Sequence, residues 1–178
     1  MKEPIGREIA IDDGGVVALG PRMRAARESS LIELLETLGE LNAWVGVIAS
    51  VATSSRIQVV LPLVQHDLCH LCDQINLQSA APLSRQHLAR IDGAISRLVP
   101  DGIAIEEDLL PPGGPLPTAF AHLAWTVCKR ARRQLASVLS LHGSRGASGS
   151  GAIADDVALI YLQRLGILLR IIGDIESR

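Results

Sequence analysis

Apolar residues recur at steps of three and four positions along most of the chain after residue 28. This spacing marks one face of an α-helix, because a helix completes a turn in about 3.6 residues. The pattern predicts helices from about residue 28 to at least 48, and at about 55–77, 84–98, 118–141 and 155–174. The predicted buried faces of the first, second, fourth and fifth helices comprise Leu31, Leu34, Leu35, Leu38, Leu41, Val45, Ile48, Leu61, Val64, Leu68, Leu71, Ile75, Phe120, Leu123, Val127, Ala131, Leu135, Val138, Leu159, Leu162, Leu165, Leu169 and Ile172.

Polar residues and a proline mark where these helices begin. Ser29 or Ser30 is placed to cap the first helix, and Glu33 stands where a capping box with Ser30 would need it. Pro62 falls either in the first turns of the second helix or at a kink within it. Asp156 lies at the start of the fifth helix, where the helix dipole favours a carboxylate.

Two segments lack the helical pattern. Residues 1–27 are short of apolar runs and broken by glycine, and residues 143–152 are rich in Gly and Ser, which predicts a mobile loop. No alternation of apolar and polar residues persists long enough to build a sheet. The chain is therefore expected to form one all-α domain over residues 1–178, an up-down five-helix bundle.

Composition narrows the class of partner. The net charge is −2 and only 2% of residues are aromatic, which disfavours a nucleic-acid partner because both phosphate contacts and base stacking would be poorly served. The three cysteines, Cys69, Cys72 and Cys128, form no disulfide framework. No window approaches the uninterrupted apolar length of a membrane span, so we expect a cytoplasmic protein without membrane contact.

The fourth predicted helix carries an unusual density of positive charge. It follows a turn rich in proline and glycine (residues 111–114), and its cations are Lys129, Arg130, Arg132 and Arg133. Adjacent helical residues diverge by about 100°, so Arg130 and Arg133 can point together, while Lys129 pairs with Arg132 or Arg133. Such a pair could hold a polyphosphate with backbone N–H groups of the turn at 12–15. The alternative is a solvated basic face.

The second predicted helix carries four potential metal ligands on one stripe. They stand at positions i, i+3, i+4 and i+7 and comprise His66, Cys69, His70 and Asp73. These side-chain types all bind zinc and similar ions. One straight helix normally supplies only two ligands, so a polar outer face or a subunit seam is the alternative interpretation.

Five segments resemble, in order, motifs of the propanediol-utilisation type of ATP:corrinoid adenosyltransferase. IDDGGVVALG (11–20) resembles TGDxGxTxLxxG, and ETLGELNAWVG (36–46) resembles GTVDELNxxIG. Ile57 and Gln58 open the second helix as IQ does in that family. LLPPGG (109–114) with HLAWTVCKRARRQ (122–134) resembles FILPGG with LHxARTVCRRAERR, and YLQRLGILLRIIGD (161–174) resembles YLNRLSDxLFxLAR.

The resemblance implies a trimer of five-helix bundles with sites between subunits. Enzymes of that family transfer the adenosyl group of ATP to cob(I)alamin and release triphosphate, so it implies ATP with Mg²⁺ and a corrinoid as ligands. Carried over by motif position, the residues implied to bind ATP or triphosphate are Asp13, Gly15, Arg27, Lys129, Arg130, Arg133, Gln163 and Arg164.

Among the motif positions at which the chain has a different residue, four bear most directly on this chemistry. Trp125 stands in place of the first arginine of the basic helix, Gly39 in place of the VDEL aspartate, and Ile167 in place of the NRLSD aspartate. Asp108 stands in place of the phenylalanine of FILPGG, which the family uses to displace the lower corrinoid ligand. Since the cation and both candidate acidic partners are absent together, an apolar contact at the subunit seam is expected instead of an ion pair.

The sequence supports two alternative functions, and a third is more remote. The chain either transfers the adenosyl group of ATP to a corrinoid, or it retains the fold as a catalytically inactive nucleotide-binding, corrinoid-binding or assembly protein. In the third interpretation, the stripe containing His66, Cys69 and His70 serves as a metal or redox sensor.

Overall fold

The computed structural model describes residues 16–18, 24–26, 29–76, 82–99, 113–143 and 156–177. Five helices account for most of this length. They are α1 (Ser30–Val51), α2 (Ser55–Ile75), α3 (Arg85–Leu98), α4 (Leu116–Gly143) and α5 (Asp156–Glu176). The all-α five-helix fold predicted from the apolar periodicity is confirmed.

A short antiparallel ribbon precedes the bundle and was not predicted. Its strands are β1 (Val16–Ala18) and β2 (Arg24–Ala26), with Val17 opposite Ala25. Three residues a strand are too few for an alternating pattern to show in the sequence, which explains why the periodicity missed it. The ribbon lies against α1 through β2.

The helices form a closed ring in the order α1, α2, α3, α5, α4 and back to α1. Helix α4 makes extensive contacts with α5 and with α1, whereas the contact between α2 and α3 is the smallest of the ring. Thr118 Oγ1 donates to the Gly173 carbonyl at 3.3 Å and Cys128 Sγ to the Leu162 carbonyl at 3.2 Å, so α4 and α5 run antiparallel. The core fills the middle of this ring.

The predicted core faces are largely confirmed, with one error. Leucines, isoleucines and valines of all five helices are buried together. Leu123, however, is 44% exposed. The apolar stripe of α4 faces both α1 and α5, and Ala121, Ala124 and Cys128 occupy the α5 side that the sequence pattern assigned to larger residues.

The helix ends were predicted to within a few residues. Ser29, not Ser30, caps α1, since its Oγ accepts from Ile32 N at 3.4 Å and no capping box with Glu33 forms. Pro62 lies in the interior of α2 on its exposed side. By length and mean hydropathy α1 would also pass as a membrane span. Its acidic side chains bond to α4, and its leucines line the core, as in a bundle helix.

Candidate functional site

The glycine turn before α4 sets where the basic helix begins. Gly114 has φ +96°, a left-handed conformation that glycine adopts without the steric cost paid by other residues. A Cβ there would also lie 3.7 Å from the Thr118 side chain. Thr118 is buried and bonds to α5, so the start of α4 is held against the bundle. Residues 113 and 114 therefore belong to the turn before α4 that the sequence predicts.

The four cations of α4 do not act as one group. Arg130 turns towards α1, where its guanidinium forms an ion pair with the Glu40 carboxylate. Lys129 turns the other way, towards α5, and its Nζ lies 3.8 Å from the centre of the Trp125 ring. Arg132 and Arg133 are exposed. Lys129 and Arg130 thus lie on different sides of the helix, as their adjacent positions predicted, and the pairing of Arg130 with Arg133 stays a prediction.

The pairing of Arg130 with Glu40 is weak. Both side chains are 45% exposed. Exposed ion pairs contribute only about 0–1 kcal/mol, because water screens the charges and both side chains lose rotamer freedom. Arg130 can therefore leave Glu40 for a stronger anion at little cost.

Trp125 occupies the seam between α4 and α5. A Cβ on Gly166 would lie 3.8 Å from the indole Cδ1, so the absence of a side chain on α5 lets the ring lie close to that helix. Arg170 also lies over the ring, with Cζ 5.5 Å from its centre. Two cations from two helices thus share one indole. Within this chain two cations therefore lie close to the indole, and the apolar contact expected at the subunit seam stays a prediction.

The residues implied by the α5 motif point in different directions. Gln163 is exposed. Arg164 points to α3, where its Nε lies 2.9 Å from Asp92 Oδ1, so the fold does not bring it to the α4 cations. Ile167 is half-buried against the core. Gly39 is exposed on α1 with nothing within 4 Å of its Cβ position, so an aspartate would fit there without a clash.

Four of the residues named from the motifs fall outside the described part of the chain. They are Asp13, Gly15, Arg27 and Asp108. Their roles in the phosphate loop and beside the corrinoid therefore stay predictions.

The ring of helices also encloses a charged network that the sequence reasoning missed. Asp67 is 2% exposed and faces the core. Its Oδ2 accepts from the Tyr161 hydroxyl at 3.0 Å, and its Oδ1 pairs with the Arg90 guanidinium. Burial, followed by the nearby Asp67 charge, raises the pKa of Tyr161, which keeps the hydroxyl protonated as a donor. The signal was an acid set among the apolar residues Val64 and Leu71.

A cleft between α2 and α3 opens above this network. It is lined by Leu63, Asp67, Arg90, Arg97 and Tyr161 among others. The two arginines sit at its rim. Buried charge of this kind mainly fixes how the three helices α2, α3 and α5 meet.

The histidine stripe of α2 reaches a third histidine on α3. The His66 and His70 rings lie 4.5 Å apart, and the His70 ring lies 5.9 Å from that of His87. His87 Nδ1 accepts from Ser84 N at 3.1 Å, so in the neutral ring the proton is on Nε2, which then cannot bind a metal. Among the residues described, no group of three His, Cys, Asp or Glu side chains is arranged to hold an ion.

Cys72, which adjoins this stripe, is a poor redox group. Burial, then the charges of Cys69 and Asp73, raises the pKa of Cys72 to about 11. A thiol in that state is almost wholly protonated at neutral pH, and only the thiolate reacts readily. Cys69 Sγ accepts from the Asn42 amide at 3.4 Å. Nothing in this geometry favours the sensor interpretation.

The fold and the site together define a class: an all-α bundle that presents clustered cations on its longest helix. Comparison with known families identifies the family within this class. A sequence model described as cobalamin adenosyltransferase matches residues 11–173, and the chain belongs to that family. A protein of Cupriavidus metallidurans named cobalamin adenosyltransferase is 26% identical over 167 residues, which are 93% of this chain and 85% of that protein.

Solved structures with the same fold come from the PduO-type ATP:corrinoid adenosyltransferase of Lactobacillus reuteri. An arginine-to-lysine variant complexed with ATP aligns with a TM-score of 0.70 and 24% identity, covering 90% of this chain and 88% of that one. A phenylalanine-to-histidine variant complexed with cobalamin and ATP aligns with a TM-score of 0.72 and 20% identity, covering 90% and 85%. The expectation that relatives hold ATP and a corrinoid is confirmed for these proteins.

Proposed function

We propose that this chain binds ATP and a corrinoid at the cationic surface of α4, where that surface meets a neighbouring subunit of a homotrimer. The observation that carries the proposal is the crowding of Lys129, Arg130, Arg132 and Arg133 into five consecutive positions of one helix in a chain of net charge −2. Only one of the four, Arg130, has an acidic partner among the ion pairs of the described residues, and that pair is exposed.

The proposed roles follow from this arrangement. Lys129, Arg130 and Arg133 hold the triphosphate, Arg27 adds a further cation, and the loop containing Asp13 and Gly15 supplies backbone N–H groups. Gln163, exposed on α5, contacts the nucleotide beside them. Membership of the cobalamin adenosyltransferase family and the ligands named for the solved relatives support this assignment.

The chemistry proposed is transfer of the adenosyl group from ATP to the reduced cobalt of the corrinoid. Reduced cobalt is itself the nucleophile that attacks the ribose carbon, and triphosphate departs with the electrons of the broken carbon–oxygen bond. The protein needs no general base. Its cations neutralise the charge that develops on the leaving triphosphate, and its surface aligns the two substrates.

A second candidate is a binding or assembly protein without turnover, and one observation favours it. Trp125 occupies the place of a motif arginine, and Gly39 and Ile167 occupy the places of its acidic partners. Nucleotide binding would survive on the remaining cations, whereas the alignment needed for attack would be lost.

One assay separates the two candidates. The purified protein is mixed with ATP, Mg²⁺ and chemically reduced cobalamin, and adenosylcobalamin is followed by its absorbance. Formation of product supports transfer, and no product at an enzyme concentration equal to that of the substrate rejects it. A rise in the melting temperature with ATP or tripolyphosphate, without product, supports the binding protein.

Matched variants link either result to α4. Arg133→Gln removes one charge-assisted contact and is expected to weaken tripolyphosphate binding about tenfold or more. Arg56→Gln makes the same change on the exposed start of α2 and should leave binding unchanged. Light scattering after size exclusion tests the trimer. Equal binding by both variants would remove α4 as the site.

A further inference from the structure

The α4 cations have a companion on the neighbouring helix. Arg170 of α5 places its guanidinium carbon 5.5 Å from the centre of the Trp125 ring, and Lys129 of α4 places its ammonium 3.8 Å from the same centre. Two positive charges from different helices are therefore held against one half-buried indole. No motif in the sequence singled out Arg170.

The indole is what makes the two helices present their charges together. Gly166 leaves space beside the ring, with Cδ1 3.8 Å and Nε1 4.0 Å from its Cβ position, so the ring spans the seam. Arg170 follows Gln163 by two helical turns, which places both on one stripe of α5. The stripe borders the cationic side of α4.

Cations from two helices meet at this patch. The negative face of the indole attracts both Lys129 and Arg170 and so holds their charges close together. The exposed Arg133 follows Lys129 by about one turn of α4. A chain of phosphates carries several negative charges in a row and so can neutralise cations from both helices at once.

The motif comparison shows an exchange between the two helices. At position 125 the adenosyltransferase pattern has an arginine and this chain has Trp125, while at position 170 the pattern has a phenylalanine and this chain has Arg170. The cation and the aromatic ring have changed places across a contact that the structure shows to be direct.

We infer that Arg170 restores from α5 the phosphate-binding cation missing at position 125, so that Lys129 and Arg170 grip the polyphosphate of a nucleotide on either side of Trp125. This inference rests on the proposed nucleotide site and adds a residue to it. It also explains how Trp125 is compatible with binding: the ring orients two cations rather than replacing one.

The test is titration of the purified full chain with sodium tripolyphosphate, ATP and adenosine, followed by calorimetry. Arg170→Gln is expected to weaken tripolyphosphate and ATP about tenfold or more, since one charge-assisted contact is lost. Arg170→Lys keeps the charge and should lose less. Adenosine, which has no phosphate, should bind the wild type and Arg170→Gln equally, and Arg56→Gln should match the wild type throughout.

The outcomes separate this inference from the proposed function. If Arg170→Gln binds tripolyphosphate as the wild type does while Arg133→Gln does not, Arg170 merely braces Trp125 and the inference fails alone. If the wild type binds neither tripolyphosphate nor ATP, the proposed function fails and the inference with it. Should Arg170→Gln lose its helical circular dichroism, Arg170→Met, which keeps the apolar stem, takes its place in the titration.

Discussion

Glu176 offers the sharpest test of how the bundle is held together. Its carboxylate, at the end of α5, reaches the turn between α1 and α2 and is 7% exposed. It accepts from Thr53 N at 3.0 Å, from Ser54 N at 3.0 Å and from the Thr53 hydroxyl at 2.8 Å. The side chain of Ser54 forms no capping bond at the start of α2, so the distant carboxylate serves there instead.

Glu176→Gln replaces one acceptor oxygen with an NH₂ group that faces donors. Hydrogen bonds to a charged group contribute about 1.5–3 kcal/mol, and the positive end of the α2 dipole adds to the attraction. We expect the variant to lose about 2 kcal/mol. For a chain of this size that corresponds to a fall of about 4–8 °C in melting temperature.

The effect depends on pH in a direction that the structure sets. Burial acts to raise the pKa of Glu176, but the hydrogen bonds from Thr53 and Ser54 outweigh it and lower the pKa below its ordinary value of 4.5. Such a group adds stability above its unfolded pKa and loses it as the pH falls through the folded one. The difference in stability between wild type and variant should therefore be fully present at pH 7 and should shrink as the pH falls below about 4.5.

Thermal melts of both proteins at one fixed protein concentration measure this difference in stability, because any oligomerisation makes a melting temperature depend on concentration. Glu36→Gln, an identical change at an exposed position of α1, is the control and should shift stability by no more than about 0.5 kcal/mol. A variant of Glu176 that melts with the wild type at pH 7, or a difference that does not narrow as the pH falls from 7 to 3, would refute the reasoning.

Two further predictions concern α3 and its neighbours. Tyr161→Phe removes the hydroxyl that donates to the buried Asp67 and should lower the free energy of unfolding in urea by about 1–3 kcal/mol. The loss should be smaller if water reaches the carboxylate. No loss would mean that Arg90 alone satisfies Asp67. Burial lowers the pKa of His87 below 6.5, so its cap on Ser84 N is complete above pH 6.5 and fails as the pH falls through the lower folded value. His87→Gln keeps an acceptor and should remove that pH dependence from the stability of α3, as followed by hydrogen exchange.

The helices were predictable because each buries one broad apolar face in a shared core. Leu34, Leu38 and Leu41 recur with helical spacing and are all fully buried. Leu123 shows the limit: it fits the same period but lies at the edge of the stripe, and only the rotation of α4 between two neighbours decides which edge is covered. Periodicity alone carries no information on that rotation.

The sequence predicted the cations of α4 but not how the side chains around them are arranged. The role of Arg164 in nucleotide binding stays a prediction, and within this chain the packing of α5 turns it to Asp92 on α3, which no motif indicated. Arg170 departs from the phenylalanine of its motif, but its meeting with Trp125 depends on the α4–α5 contact. Glu176 lies more than a hundred residues from Thr53, so no local pattern could reveal their bond.

Helix α3 is held in the bundle more weakly than its neighbours and should therefore unfold locally first. This helix buries Ile91, Ala94 and Leu98, whereas α5 buries ten residues, and its other ties are ion pairs to α2 and α5. Its backbone amides should therefore exchange with deuterium before those of the rest of the bundle, as a separate cooperative unit. Each such excursion would wet the Tyr161 hydroxyl while α1, α4 and α5 keep their shape, so the cation-bearing part of α4 is insulated from the least stable part of the protein.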